Sequence, residues 1–483
     1  MSTTTTYDLI VVGTGFASSF FLYKYLEQEK HKNSKVLVLE RGTMYSHKDR
    51  LASIRGKKID YEQNIVKRED TFINSNSKKP WIFDPNFGGS SNCWWGSTPR
   101  LMPNDFKLKT KYGVGFDWPI SYDDLEKFYV EAEQLMQISG PEVTPYKKSS
   151  SYPLPSHKLS TFDRLMQKKH GEEVYFSIPS ARASKAIDTR NACCSSVTCD
   201  VCPVDAKFTI ENGFQNLYKD SRVEVKILSQ VLRIILQNNI ATGVEVLSNG
   251  KKVEYKSNFV ALGTNSLFNA HILLNSGDTS PLLGKGLSEQ VGVFAYAHLD
   301  HFSNVGGSSS ITAHGYNLYD GTFRNKWGSC LLESHNLPII RNERGRWRDI
   351  ARFKFVFEDI PNLNNAVVLS ADETKPLVKF EGHTEYAHKA YENLKSNLGI
   401  YFEGLPVEEV FLDDYFQETE FHNQCSVKMG VSLSDSVVDK HLLHHTYRNV
   451  AVLGGSAFAS VAAANPTLTI AALSLYAAHK IFE

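Results

Sequence analysis

The fold is decided by Tyr7-Asp-Leu-Ile-Val-Val12 and the turn that follows it, Gly13-Thr-Gly15-Phe16-Ala17-Ser18. The apolar run is typical of a buried parallel strand, and the helix behind the turn is predicted over 19–28. The second strand, Lys35-Val-Leu-Val-Leu39, ends in Glu40. In such a unit the glycines allow a tight turn and close approach of a pyrophosphate, while the acid accepts hydrogen bonds from a ribose. The pattern predicts a Rossmann-like unit that binds a dinucleotide, the alternative being such a unit without a ligand.

Length and composition exclude several classes of protein. The 483 residues exceed one ordinary domain and can bury a large core. Lys+Arg and Asp+Glu both number 53, so charge gives no reason to expect a nucleic-acid or anionic-membrane partner. The N-terminal Met-Ser-Thr-Thr-Thr-Thr has no basic region and no twin arginine, which predicts a cytoplasmic chain without a signal peptide.

The segment from Asn449 to Ala478 has no charged residue and resembles a membrane span. Gly454-Gly455 and Asn465-Pro466 divide it into a strand, a loop and a helix that is too short to cross about 30 Å of hydrocarbon. We therefore expect this segment to be buried in a protein core, with no membrane span.

The last fifth of the chain carries a second motif. It contains Phe421-His422-Asn-Gln-Cys425, then Gly454-Gly455 after an apolar run, then Asn465-Pro466-Thr467 at the start of a predicted helix. A helix N-terminus offers free N–H groups that favour an anion or an electron-rich ring. Histidine titrates near neutral pH, so His422 can move a proton there. The alternatives are a satisfied core histidine and, for Asn465, an ordinary helix N-cap.

The rest of the chain predicts a second, inserted domain. Residues 223–260 are β-rich, with a hairpin at Asn249-Gly250. Residues 297–415 alternate as in a mixed antiparallel sheet, with one helix over 384–398, and residues 140–190 predict an irregular excursion or lid. His444 and His445 are predicted at the surface. The fold class is α/β: a discontinuous Rossmann-like domain (1–113, 205–296, 416–483) and an α+β substrate domain (114–204, 297–415).

Several motifs in this order resemble the glucose–methanol–choline (GMC) FAD-dependent oxidoreductases. They are the Gly13–Glu40 unit, Gly88-Gly89-Ser90-Ser91, Asp117–Tyr122, Leu262–Gly277, Glu358-Asp-Ile-Pro361, His422–Gly430 and Asn465-Pro466-Thr467. The motifs span nearly the whole chain and are weakest over 140–190 and 300–350, where substrate selection would lie. The Gly454-Gly455 variant and Asn465 are similar to the sugar-oxidising, pyranose-oxidase-like branch.

The resemblance implies an enzyme that oxidises a CH–OH group of a sugar, polyol or related alcohol by hydride transfer to flavin N5. His422 would be the general base and Asn465 would bind the substrate oxygen, with oxygen or an external carrier as electron acceptor. The implied FAD-binding residues are Gly13, Gly15, Phe16, Ala17, Glu40, Arg41, Gly88, Gly89, Ser90, Ser91, Asn92, Cys93, Val231, Gly263, Gly454, Gly455, Asn465, Pro466 and Thr467. The alternatives are a flavin-fold binding or escort module and a non-oxidative flavin-dependent lyase or isomerase.

The cysteines leave two questions open. Cys93 lies where some GMC enzymes carry a histidine bonded covalently to the flavin, so either a cysteinyl bond or a small buried residue is expected. Cys193, Cys194, Cys199 and Cys202 have a spacing similar to that of GMC subunits with a small iron–sulfur cluster. Thiolates also bind zinc. Iron–sulfur ligands, zinc ligands, free thiols and a disulfide are the four possibilities.

Overall fold

The chain folds into nine α-helices and twenty β-strands over residues 5–483, which are the residues that the computed structural model describes. The helices are α1 (Phe16–Leu26), α2 (His47–Ile54), α3 (Leu108–Tyr112), α4 (Tyr122–Met136), α5 (Thr161–His170), α6 (Ile210–Gly213), α7 (Ser266–Asn275), α8 (Glu385–Asn397) and α9 (Thr467–Phe482). The strands are β1 (Thr6–Tyr7), β2 (Leu9–Val12), β3 (Val36–Leu39), β4 (Ile73–Asn74), β5 (Ser139–Gly140), β6 (Leu154–Pro155), β7 (Tyr175–Ser177), β8 (Val223–Lys226), β9 (Ser229–Gln237), β10 (Ile240–Ser248), β11 (Lys251–Ser257), β12 (Val260–Leu262), β13 (Val291–Leu299), β14 (Ile311–Leu318), β15 (Cys330–Ile340), β16 (Asp349–Phe357), β17 (Ala366–Val368), β18 (Leu377–Lys379), β19 (Val407–Leu412) and β20 (Val450–Val452).

A parallel sheet in the order β20-β12-β2-β3-β8 forms the first layer. Strands β2, β3, β12 and β20 are buried along their whole length, as expected of short apolar strands covered on both faces. Helix α9 packs against α1 and α4 beside this sheet. The strands come from three separate stretches of chain, 9–39, 223–262 and 450–452.

An antiparallel sheet in the order β19-β13-β16-β15-β14-β7 forms the second layer. Its side chains alternate between two faces, as the period of two in a strand requires. One face carries Val293, Leu332 and Phe355, which are buried in a core that includes residues of α5 and α8. The opposite face carries Phe294, Glu333 and Lys354, which line the cavity described below. This layered arrangement confirms the predicted fold class.

Two predictions about local structure are wrong. Residues 140–190 are not irregular throughout: Ser160 and Asp163 form a reciprocal capping box that starts α5, and β7 pairs with β14 at the edge of the antiparallel sheet. His444 is not at the surface: it is fully buried, and its Nε2 lies 2.7 Å from Asp278 Oδ2. The polar composition around His444 gave no sign of a partner 166 residues earlier. Within residues 5–483, no helix is both long and apolar enough to cross a membrane.

Candidate active site

A cavity of about 600 Å³ opens at the carboxyl ends of the parallel strands. Val12, Leu39 and Gly263 line it where β2, β3 and β12 end, which is where open α/β sheets bind ligands. Phe294 and Lys354 line it from the antiparallel sheet. The two layers therefore enclose one cavity. One end, next to the Gly13–Gly15 turn, is called the nucleotide-type end below, and the other end is bounded by charged side chains.

The nucleotide-type end has the shape that a pyrophosphate requires. Gly13 has a φ of +89°, and a Cβ there would lie 3.0 Å from the Gly263 carbonyl oxygen. A Cβ at Gly15 would meet no atom within 4 Å, and Gly15 caps α1 without a side-chain hydrogen bond. The first N–H groups of α1 thus face open space, which suits an anion.

Glu40 is held in place at the end of β3. It is buried and accepts hydrogen bonds from Thr14 Oγ1 (2.6 Å) and the Gly42 backbone N–H (2.9 Å). Burial raises the pKa of Glu40, and these donors oppose that effect. Thr14 Oγ1 also accepts from the Gly88 N–H (2.9 Å), so the acid, the glycine turn and the Gly88 loop are one hydrogen-bonded unit. The residues of this end fit the ADP part of FAD.

Most of the FAD-binding residues implied by the sequence come together here. The cavity is lined by Gly13, Gly15, Phe16, Ala17, Glu40, Arg41, Ser90, Cys93, Val231, Gly263, Gly454, Gly455, Asn465, Pro466 and Thr467. Gly88, Gly89, Ser91 and Asn92 do not line it. They shape the loop instead, because Ser91 Oγ donates to the Gly88 carbonyl and Asn92 Nδ2 donates to Asp84 and Phe87. Gly89 has a φ of +54°, and a Cβ there would lie 3.1 Å from Gly15 Cα.

His422 lines the other end of the cavity with one ring nitrogen engaged and one free. Its Nδ1 lies 3.2 Å from Gln290 Oε1, which is the one hydrogen bond of the ring among residues 5–483. Burial lowers the pKa of His422 to about 4, and the Glu333 carboxylate opposes that shift. The ring is therefore neutral at pH 7.

Gln290 decides which ring nitrogen of His422 carries the proton. Its amide nitrogen donates to the Ala462 and Ala464 carbonyls, both at 2.8 Å, which fixes the direction of the amide. Its Oε1 can then only accept, so His422 Nδ1–H donates to it. The Nε2 lone pair is left facing the cavity, as a proton acceptor must be. The same amide also holds the backbone that leads into Asn465.

Asn465 has a fixed amide direction as well. Its Nδ2 donates to Glu333 Oε1 (3.3 Å), because a carboxylate can only accept, and its Oδ1 accepts from Ser97 Oγ (2.7 Å). One Nδ2 hydrogen remains for another acceptor. Pro466, not Asn465, takes the N-cap position of α9, and that cap has no side-chain hydrogen bond. The side chain of Asn465 therefore lines the cavity and does not cap the helix.

Sequence reasoning missed Gln290, Glu333, His335 and Lys354. Burial pushes the pKa of Glu333 upward, but its contacts with His314 and His335 outweigh burial and hold that pKa well below its usual range. Glu333 is therefore ionised beside Asn465. The one available signal was the pair of titratable residues at 333 and 335, which the period of two in a strand places on one face. Gln290 belongs to none of the sequence motifs described above.

The four cysteines are not grouped as an iron–sulfur or zinc site, two of the four possibilities that the sequence left open, would need. Cys199 Sγ accepts from Arg182 Nη1 (3.2 Å), Cys202 Sγ accepts from the Ala206 N–H (3.2 Å), and Cys194 is exposed. Across the described residues, no three His, Cys, Asp or Glu side chains are grouped as a metal site would need. The buried Lys207 ammonium donates to the Trp94, Cys199 and Asp200 carbonyls at 2.5–2.8 Å, so this segment braces the loop that follows Gly88.

Cys93 lines the cavity and carries a protonated thiol. Burial raises its pKa to about 11. A covalent bond to a flavin would need the thiolate, which is the nucleophilic form. The geometry thus favours a small packing residue at this position.

Comparisons with known proteins find several oxidoreductases similar to this chain. Residues 379–474 match the family model described as GMC oxidoreductase. The fructose dehydrogenase large subunit of Gluconobacter japonicus is 28% identical, with 82% of this chain and 80% of that chain covered. The gluconate 2-dehydrogenase flavoprotein of Pantoea cypripedii is 23% identical, with 82% of this chain and 78% of that chain covered. The crystal structure of pyridoxine 4-oxidase from Mesorbium loti shares the fold, with a TM-score of 0.66 and 16% identity. The match covers 98% of this chain and 99% of that chain.

Proposed function

Since the chain belongs to the GMC oxidoreductases and is an enzyme acting on CH–OH donors, we propose that it oxidises an alcohol group of a sugar or polyol with FAD as its cofactor. The observation that carries the proposal is the free Nε2 of His422 beside the free N–H of Asn465 in one cavity. FAD, when bound, supplies the two-electron oxidant for the carbinol C–H bond.

His422 supplies the proton acceptor. Its neutral ring has Nδ1–H held by Gln290, so Nε2 takes the hydroxyl proton as the C–H bond breaks. Asn465 donates its free N–H to the same oxygen and stabilises the charge that develops there. The alcohol becomes a carbonyl compound, and His422 holds the hydroxyl proton. The two electrons would pass by way of FAD to oxygen or an external carrier as the final acceptor.

The test is anaerobic stopped-flow measurement of flavin reduction with a panel of sugars, polyols and simple alcohols. His422→Ala should retain FAD but reduce it about 10²–10⁴-fold more slowly, which is the usual contribution of a positioned base. His298→Ala is the matched control, because His298 lies on β13 of the same sheet, pairs with Glu409 and does not line the cavity.

Rapid flavin reduction by His422→Ala would refute the assignment of the base. A protein purified without flavin would favour the binding-module alternative. Turnover with no net reduction of flavin or dye would favour the lyase or isomerase alternative.

A further inference from the structure

A row of polar side chains crosses the antiparallel sheet above the reactive pair. Lys354 stands opposite Phe294 on one neighbouring strand and opposite Glu333 on the other. Side chains that stand opposite each other in a sheet share one face. His335, two residues beyond Glu333, lies on that same face. Glu333, His335 and Lys354 all line the cavity.

This row adjoins the site of oxidation. Glu333 Oε1 accepts from Asn465 Nδ2 at 3.3 Å. Among residues 5–483 that is the only hydrogen bond to the Glu333 carboxylate, because His314 Nε2 and His335 Nε2 each lie 3.7 Å from its oxygens, Oε1 and Oε2 respectively. His335 is only 4% exposed, and its Nε2 has no partner in the described part of the chain. Buried polar groups are normally hydrogen-bonded. Glu333 and His335 can therefore form further hydrogen bonds with a ligand.

Both ammonium groups at this end already have a carboxylate partner. Lys354 Nζ lies 2.5 Å from Glu420 Oε2, and Lys79 pairs with Glu289. Arg352 donates to His335 Nδ1 at 3.3 Å but does not line the cavity, so a carboxylate placed here would face Glu333 and Glu420. A hydroxyl group, which both donates and accepts, would meet a carboxylate and an imidazole. The row therefore suits neutral hydroxyl groups better than an acid.

Aromatic rings complete the lining. Trp95 lies 5.9 Å from the His335 ring, centroid to centroid, and Phe294 and Phe421 line the same cavity. Flat apolar rings beside a few placed polar groups are the usual composition of a small-molecule site. The C–H faces of a sugar can pack on such rings while its hydroxyls reach the polar row.

We propose that Glu333, His335 and Lys354 bind the hydroxyl groups next to the oxidised carbon, and so select a neutral polyhydroxylated substrate, a monosaccharide or sugar alcohol, over simple alcohols and sugar acids. The inference rests on the proposed function, because it places these hydroxyls relative to His422 and Asn465.

The experiment compares His335→Leu with the wild type and with His298→Leu as control. Anaerobic flavin reduction is measured with D-fructose, D-glucose, D-sorbitol, D-gluconate and cyclohexanol. The wild type should prefer one of the three neutral polyhydroxylated compounds. In His335→Leu the preference for that compound over cyclohexanol should fall at least about 5-fold, the lower end of the range for a lost buried hydrogen bond. His298→Leu should keep the wild-type preference.

A second measurement does not depend on turnover. Calorimetric titration of dithionite-reduced holoenzyme with the preferred compound should give a dissociation constant at least about 5-fold weaker for His335→Leu. The inference is overturned if His335→Leu keeps the wild-type preference and affinity, or if cyclohexanol or gluconate is the best substrate. If no CH–OH compound reduces the flavin, the proposed function itself fails, which is a distinct result.

Discussion

Replacing Gln290 with leucine should slow the chemical step while FAD stays bound. Leucine is close in volume to glutamine but cannot accept the His422 Nδ1–H hydrogen bond of 3.2 Å. The ring then loses the contact that keeps Nδ1 protonated and Nε2 directed at the cavity. The variant also leaves the Ala462 and Ala464 carbonyls without their donor, so we expect a lower melting temperature as well.

The expected size of the effect follows from the burial of the site. Leaving one buried polar group unpaired costs about 1–3 kcal/mol. If that cost falls on the reactive arrangement of His422, it corresponds to a rate about 5- to 150-fold lower. The affinity for substrate should change little, because Gln290 does not line the cavity.

The assay is stopped-flow flavin reduction at a saturating concentration of substrate. The flavin content of each variant is measured by absorbance. His298→Leu is the control: His298 lies on β13, its Nδ1 lies 2.7 Å from Glu409 Oε1, and it does not line the cavity. We expect it to stay within about 3-fold of the wild type, below the range for an unpaired buried group, because it leaves the hydrogen bonds of Gln290 and His422 in place. Flavin reduction by Gln290→Leu within 2-fold of the wild type would refute the reasoning.

Three further predictions concern other parts of the site and the fold. Asn465→Ala should slow flavin reduction less than His422→Ala, by about 10²-fold, because it removes one donor to the developing charge and no base; equal losses in stopped flow would contradict this. Since burial lowers the pKa of His422 to about 4, the rate of flavin reduction should be flat from pH 6 to 8 and decline only as pH approaches 4; a pH profile with an inflection near 6.5 would contradict it. The same shift lowers folding stability as pH falls from about 6.5 towards 4, because only the unfolded chain takes up the proton in that range. Arg324 is fully buried between Asp105 Oδ1 (2.9 Å) and Glu358 Oε1 (2.6 Å), so Arg324→Met should cost about 3–5 kcal/mol in urea unfolding, and a loss below 1 kcal/mol would contradict that role.

Local patterns made the nucleotide end of the site predictable. Gly13, Gly15 and Glu40 act through the turn and strand that contain them, so their spacing indicates both fold and ligand. The capping box at Ser160 and Asp163 is equally local and would have placed α5, but the serine- and lysine-rich composition of 140–190 obscured it.

The substrate end could not be predicted in the same way. Gln290 acts on His422, which lies 132 residues away, and on the two carbonyls just before Asn465. Glu333 and Lys354 become neighbours only through strand register. Such roles depend on long-range contacts, which no local sequence pattern encodes. The cysteine spacing could not decide among its four possibilities, because the contacts of the thiols with Arg182 and with backbone N–H groups depend on the folded chain.

The order of the parallel strands has a consequence for biosynthesis. Strand β12 pairs with β2 on one side and with β20 on the other, and α9, the last helix, packs on α1, the first. Domains usually fold as units while the ribosome delivers the chain from its N-terminus. Here the nucleotide-binding turn is synthesised first, but the layer around it is completed only when residues 450–482 emerge. Cofactor uptake should therefore follow the synthesis of residues 450–482, and ribosome-bound chains that stop before β20 should carry no flavin.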